Sequence, residues 1–235
     1  MTTPFKRLAL LCLVGWMLWL PAFSEDMAPP SHELPEGFCY VHEVIGDVIL
    51  DIRYAGEHNF VGSPIDGYEA PYAIMTVEGA QALKEAADVF RGMGYRLKIY
   101  DAYRPQSAVK HFVRWSADED DMKMQAEFYP GYKTKSRIVD EGYIARNSSH
   151  MRGSAVDLTL TDMAGNELDM GTCFDFFGKA SWHGAKGLTE EQEANRTLLK
   201  TVMEKCGFKP FEKEWWHYRL KNEPFKTEKF DFPVK

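Results

Sequence analysis

The hydrophobic period of the chain switches at a single glycine, and that switch limits the folds open to it. Upstream, "VEGAQALKEAADVFRGMG" (Val77 to Gly94) carries apolar residues at helical spacing and stops on glycine; immediately downstream, "YRLKIYDAY" (Tyr95 to Tyr103) alternates with period two. A helix thus hands over directly to a strand. "AVDLTL" (Ala155 to Leu160) reads as another strand and "FKPFEKEWWHYRL" as one or two more, while "VIGDVILDIRY" (Val44 to Tyr54) also alternates. Pro105 opens a helix over "PQSAVKHFVRWSA", since proline suits a first turn. Thr189 caps "TEEQEANRTLLKTVMEKCG" (Thr189 to Gly207), acidic residues fill its first turn, and Gly207 ends it. Residues 118–147 are charged and irregular and read as a long surface connection with a short helix at most. Helices and strands mix without regular βαβ alternation, so the expected class is α+β: a single compact domain with a small, mostly antiparallel sheet flanked by helices.

The 235 residues, 45% apolar and 14% aromatic, suffice for one packed core, and no repeat or second linker divides them. Residues 1–24 stand apart. Lys6 and Arg7 precede the apolar run "LALLCLVGWMLWL" (Leu8 to Leu20), and "PAFS" supplies small residues at Ala22 and Ser24, the layout of a secretory signal cleaved after Ser24. The run is shorter than the ~20 residues that span a bilayer, so a secreted or periplasmic protein without stable membrane insertion is expected. Residues 25–43, opening with the proline-rich "EDMAPPSHELPEGF", read as a leader, and 44–235 as the domain. Cleavage leaves 26 basic and 35 acidic residues, a net charge of −9. Nucleic acid is not an expected partner, because neutralising phosphates calls for clustered Lys and Arg and no such run occurs.

Export permits disulfides, but Cys39, Cys173 and Cys206 cannot all pair. A Cys173–Cys206 bridge and three free thiols are both open, with the bridge preferred.

Two segments are dense in groups that bind metals: "SSHMRGSAVD" and "EKEWWHY". A hydrolytic zinc site needs three nitrogen or oxygen ligands, an open position for water, and a base that is not itself a ligand. His150 and Asp157 are an odd number of residues apart and would face opposite ways on one continuous strand, but the turn at "MRGS" removes that obstacle. Ser148 and Ser149 stand beside the histidine, where they could orient it or touch substrate. Glu214 and His217 are also oddly spaced, which asks for a bend at Glu214 before the strand that carries His217. Spacing alone leaves open both a metal site and a loop histidine beside packed tryptophans.

The pattern "SxHxxGxAxD" (Ser148, His150, Gly153, Ala155, Asp157) followed by "ExxH" within "EWWHY" resembles the D-alanyl-D-alanine dipeptidases, members of the wider zinc D,D-peptidase group. "LDIRYAGEHNF", "DGYE", "YDAYRP", "GYIARNSSH", "MGTCFDF", "EQEANRTLL" and "FDFPVK" extend the resemblance in the same order from Val44 to Lys235. It implies an α+β enzyme with one Zn2+ per chain on the sheet, held by His150, Asp157 and His217. It also implies Glu214 as catalytic base, Arg104 as oxyanion stabiliser, and Tyr54, Ser148 and Asp175 as holders of the two ends of a dipeptide substrate, D-alanyl-D-alanine. Without the family, Arg104 would read as half of a surface salt bridge with Asp101. His32, His42, His58, His111 and His183 match no ligand spacing. A D,D-carboxypeptidase trimming peptidoglycan stem peptides is the sibling activity. A zinc-stabilised binding module without catalysis is disfavoured by the presence of Glu214 and Arg104.

Overall fold

The computed structural model describes residues 33–235. The expected signal segment, 1–24, and the first residues of the expected leader lie outside them. The described chain opens with strand β1 (Phe38–Tyr40), a single helical turn α1 (Val41–Val44) and a two-residue strand β2 (Ile49–Leu50). β3 (Ile74–Thr76) then leads into α2 (Val77–Gly92), where the Thr76 hydroxyl accepts from the Gly79 N–H and so caps the helix. β4 (Tyr95–Asp101) and α3 (Gln106–Ala117) follow, with Pro105 at the N-cap of α3. Two short helices, α4 (Gln125–Phe128) and α5 (Lys135–Asp140), precede β5 (Ala155–Asp162). α6 (Glu190–Lys205) and the hairpin of β6 (Phe208–Phe211) and β7 (Glu214–Leu220) complete the fold.

The main sheet runs β2-β4-β5-β7-β6; every pairing is antiparallel except the short β2–β4 contact. β1 and β3 form a separate antiparallel pair. α2 packs on β4 and α6, and α6 packs on β6 and β7. The expected α+β class with a mostly antiparallel sheet is what the chain forms. α6 has the capping box its sequence announces, Thr189 accepting from Gln192 N and Gln192 reaching back to Thr189 N.

Four local expectations are corrected. The alternating stretch 44–54 is not one strand: only Ile49 and Leu50 pair, and a 3-10 turn at Arg53–Ala55 carries Tyr54 into the core, where it is 1% exposed. Part of the expected leader is core, since Phe38 and Tyr40 pair with β3 and Val41 is fully buried. Residues 118–147 are more than a surface connection: Phe128, Tyr129, Tyr132, Ile138, Tyr143 and Ile144 are buried, so the charged residues between them mask an interrupted apolar face. The preferred Cys173–Cys206 bridge is absent and all three thiols are free.

Candidate metal centre

Three strands bring chemistry into one row. In the β4–β5 pairing Asp101 lies opposite Asp157, and in the β5–β7 pairing Asp157 lies opposite His217. His150 joins from outside the sheet, on a 3-10 turn over Ser149–Arg152 that ends at Gly153 with φ 73°. That left-handed backbone suits glycine, and a Cβ here would come within 2.3 Å of the Phe38 ring. The turn therefore folds back tightly over β1 and delivers His150 above the strand it precedes. β7 is irregular where it must be: Pro210 pairs with Tyr218 but the next residue, Phe211, pairs with Glu214, so the strand bulges between those two partners. The bulge lets Glu214 and His217, three apart, line one pocket.

The ligand atoms converge. His150 Nε2 is 3.0 Å from His217 Nδ1 and 3.3 Å from Asp157 Oδ2, and His217 Nδ1 is 2.9 Å from Asp157 Oδ1. His150 Nδ1 lies 2.6 Å from the carbonyl oxygen of Ala102, which can only accept, so the proton sits on Nδ1 and Nε2 turns a lone pair inward. On the far side of His217, Nε2 has the Ser149 hydroxyl at 3.4 Å, leaving Nδ1 for the centre. Two imidazole lone pairs and a carboxylate facing one point repel each other unless a proton or a metal cation stands among them. Tetrahedral zinc with ligands at ~2.0–2.1 Å spaces its donors ~3.3 Å apart, close to what these residues hold. Among the described residues, this trio is the one group of three or more such side chains close enough to share a metal. Burial alone would disfavour the Asp157 charge, but the neighbouring imidazoles of His150 and His217 hold its carboxyl well below the usual range.

Arg104 reaches the same point. Its guanidinium donates through Nε to Asp101 Oδ2 at 2.9 Å, lies 3.4 Å from Asp157 Oδ2, and sits over the rings of Tyr54 and Phe112 at 5.0 and 5.2 Å. The pair with Asp101 that reads as a surface salt bridge in the sequence exists, but it is buried: Asp101 is 0% exposed and also accepts from Tyr68 OH at 2.5 Å. Tyr68 was not singled out in the sequence, and Asp101 only as a surface partner of Arg104. The aspartate beside "YRP" was the available signal, since a carboxylate three residues before an arginine presents it with a fixed partner.

Glu214 lines the pocket, and burial, with Asp157 and Asp175 adding their negative charges, raises its carboxyl well above the ordinary range. Asp175 accepts from Tyr54 OH at 2.7 Å. Its carboxyl is pushed up to about 8, first by burial and then by Asp157. Asp175 has φ 59°, the one positive value at a non-glycine among the described residues; such backbone strain gathers at functional sites. Ser148 also lines the pocket, though its hydroxyl accepts from the His150 N–H at 3.2 Å and so caps the turn that carries His150. The pocket, about 180 Å3, is thus walled by all eight sequence-predicted residues. The sequence missed the wall contributed by Gly142, Tyr143, Ile144, Ala145 and Asn147, from the segment read as a surface connection.

Residues 35–235 match the family model Peptidase_M15, described as D-ala-D-ala dipeptidase. A D-alanyl-D-alanine dipeptidase of Enterococcus faecium is 40% identical over 200 residues, covering 85% of this chain and 98% of that protein. One of Streptomyces coelicolor is 39% identical over 198 residues, 84% and 98% of the two chains, and one of Escherichia coli is 33% identical over 177 residues, 75% and 81%. Solved structures are more distant: the D,D-pentapeptidase VanY of a VanB-type vancomycin resistance cassette with Zn(II) aligns at TM-score 0.40 and 17% identity over 67% of this chain and 78% of that one. The LD-carboxypeptidase LdcB aligns at TM-score 0.41 and 18% identity over 83% and 72%.

Proposed function

The chain belongs to the Peptidase_M15 family of D-ala-D-ala dipeptidases, a metallopeptidase family, and on that premise we propose that it hydrolyses D-alanyl-D-alanine to two molecules of D-alanine. One zinc per chain, held by His150, Asp157 and His217, is part of the reading. The observation that carries it is the meeting of three inward-facing donors in a pocket that also holds a second, non-ligating carboxylate, Glu214. Zinc, when bound, supplies positive charge that acidifies water and polarises the scissile carbonyl.

The chain's own groups account for the remaining steps. Glu214, whose proton affinity is raised by burial and by the carboxylates nearby, takes a proton from the attacking water and passes it to the leaving amine. Arg104, clamped by Asp101 and stacked over Tyr54, brings a fixed positive charge to the oxygen that becomes negative during attack. Asp175 and Tyr54 together accept the substrate ammonium, whose charge favours the ionised form of Asp175. Ser148, on the pocket wall, serves in this reading as a donor to the other end, the free carboxylate.

A buried carboxylate at the amino end favours a free dipeptide over a stem peptide, because a longer chain would bury Asp175 without its counter-charge. The test is turnover of D-alanyl-D-alanine against its N-acetylated form and a stem pentapeptide, with metal content measured on the same sample. Cleavage of the free dipeptide alone, abolished by a chelator and restored by zinc, supports the reading. Preferred cleavage of the pentapeptide points to the carboxypeptidase, and a zinc-loaded protein inert on all three to a binding module. Export belongs to the same proposal: the mature chain starts near Glu25 outside the cytoplasm, which N-terminal sequencing of the secreted or periplasmic fraction checks.

A further inference from the structure

Next to the pocket, a second groove of about 210 Å3 is lined by Ser149, Lys209, Pro210, Phe211, His217 and Arg219. It meets the pocket along Ser149, Phe211 and His217, which line both. Two cations share it. Lys209 pairs with Arg219 in the β6–β7 ladder, and Arg219 is two residues from His217, so all three stand on the sheet face that carries His217 and Asp157. Like charges directly opposite each other on a ladder repel and cost stability. Among the described residues Glu223 is the one carboxylate that pairs with either cation, and it is shared. It is 7% exposed, accepts from Arg152 Nε at 2.7 Å, and accepts from Arg219 Nη1 as well. Lys209 has no hydrogen-bond or ion-pair partner among the described residues. Three cations against one carboxylate leave a local surplus of positive charge in a chain whose net charge is −7.

The pocket itself has the opposite sign. Asp157, Asp175 and Glu214 line it, and its one arginine, Arg104, is already held by Asp101. A negative side chain on a short substrate is therefore repelled by the pocket and attracted by the groove. In the dipeptidase reading the free carboxylate of the second residue is at Ser148, and the groove begins at the next residue, Ser149. Phe211, 38% exposed, offers methylene groups an apolar contact, while Lys209, Arg219 and the Ser149 hydroxyl offer donors to a negative group beyond them.

We propose that this groove is a specificity site for the second residue of the substrate, and that the enzyme also hydrolyses D-alanyl dipeptides whose second residue has an anionic side chain, D-alanyl-D-glutamate being the type. The inference rests on the dipeptidase reading. The chemistry is the same hydrolysis: the peptide C–N bond breaks, the oxygen of water joins the new carboxylate of D-alanine, and both of its protons end on the leaving amine.

The test compares kcat/KM of the zinc-loaded protein for D-alanyl-D-alanine, D-alanyl-D-glutamate and the uncharged isostere D-alanyl-D-glutamine. The glutamate dipeptide is expected to be cleaved roughly 5- to 10-fold better than the glutamine dipeptide, the gain that two partly exposed ion pairs give, and ~1 M salt to shrink that ratio. Lys209→Gln and Arg219→Gln are each expected to bring the ratio toward one. Should either variant fail to fold, the wild-type ratio and its response to salt still decide. A wild-type ratio of one or less, or a preference that neither salt nor the folded variants change, overturns the inference while turnover of D-alanyl-D-alanine leaves the dipeptidase reading standing. A protein inert on all three dipeptides overturns both.

Discussion

Glu214 and His217 sit three residues apart on one strand, and their substitutions separate chemistry from metal binding. Glu214→Ala is expected to keep its zinc and lose turnover by roughly 100-fold or more, as removal of a general acid–base does. His217→Ala is expected to lose both, read by metal analysis and dipeptide hydrolysis. Asp175 makes a pH prediction. Its carboxyl titrates at about 8 in the fold against an ordinary 3.8, so between those values the folded protein holds a proton that the unfolded chain has released. The metal-free protein therefore loses stability as pH rises from about 4 to about 8. Glu214 acts in the same direction, and Asp157, whose carboxyl is depressed, opposes it only at acid pH. Melting curves of the apoprotein in that window are expected to show the decline, and Asp175→Asn to flatten it.

Among elements, the turn before β5 and the start of α6 have very different functional weight. Gly153→Ala forces a left-handed backbone onto alanine and drives a methyl into the Phe38 ring. A cost of about 2–4 kcal/mol is expected, with weakened zinc binding, because the same turn presents His150. Thr189→Ala removes the capping box far from the pocket, and about 1 kcal/mol of stability should go while kcat and KM stay unchanged. Urea melts and metal titration distinguish the two. Thr189 and Gly207 were readable because caps are local chemistry. The end of the alternating run at Tyr54 was not, because the 3-10 turn there is set by what Tyr54 packs against, Phe60, Tyr68 and Phe112, all brought in by other segments.

Over the whole molecule, the C-terminal tail ties both ends of the fold to the site. Phe225, Phe230 and Phe232 pack around Phe38, Phe230 N–H donates to the Met151 carbonyl at 3.1 Å, and Val234 accepts from Glu69 and Ala70. Deleting residues 229–235 is expected to cost at least roughly 3–5 kcal/mol, the range for one buried phenylalanine, and to weaken zinc binding through the turn next to His150. Chemical denaturation of the truncated protein checks it. The tail's role, the pocket wall from 142–147 and the burial of the Arg104–Asp101 pair are decided by tertiary structure, since each depends on partners tens of residues away that no local period encodes. The sequence by itself determined the helices with caps, the long strands, and the residue types and order of the candidate metal ligands, because backbone periodicity and ligand chemistry are properties of short segments. Only the fold decided that Asp157 and His217 stand opposite each other in register, that a bulge turns Glu214 to the same side, and that His150 drops over them, because strand register is fixed by packing between segments and not within them.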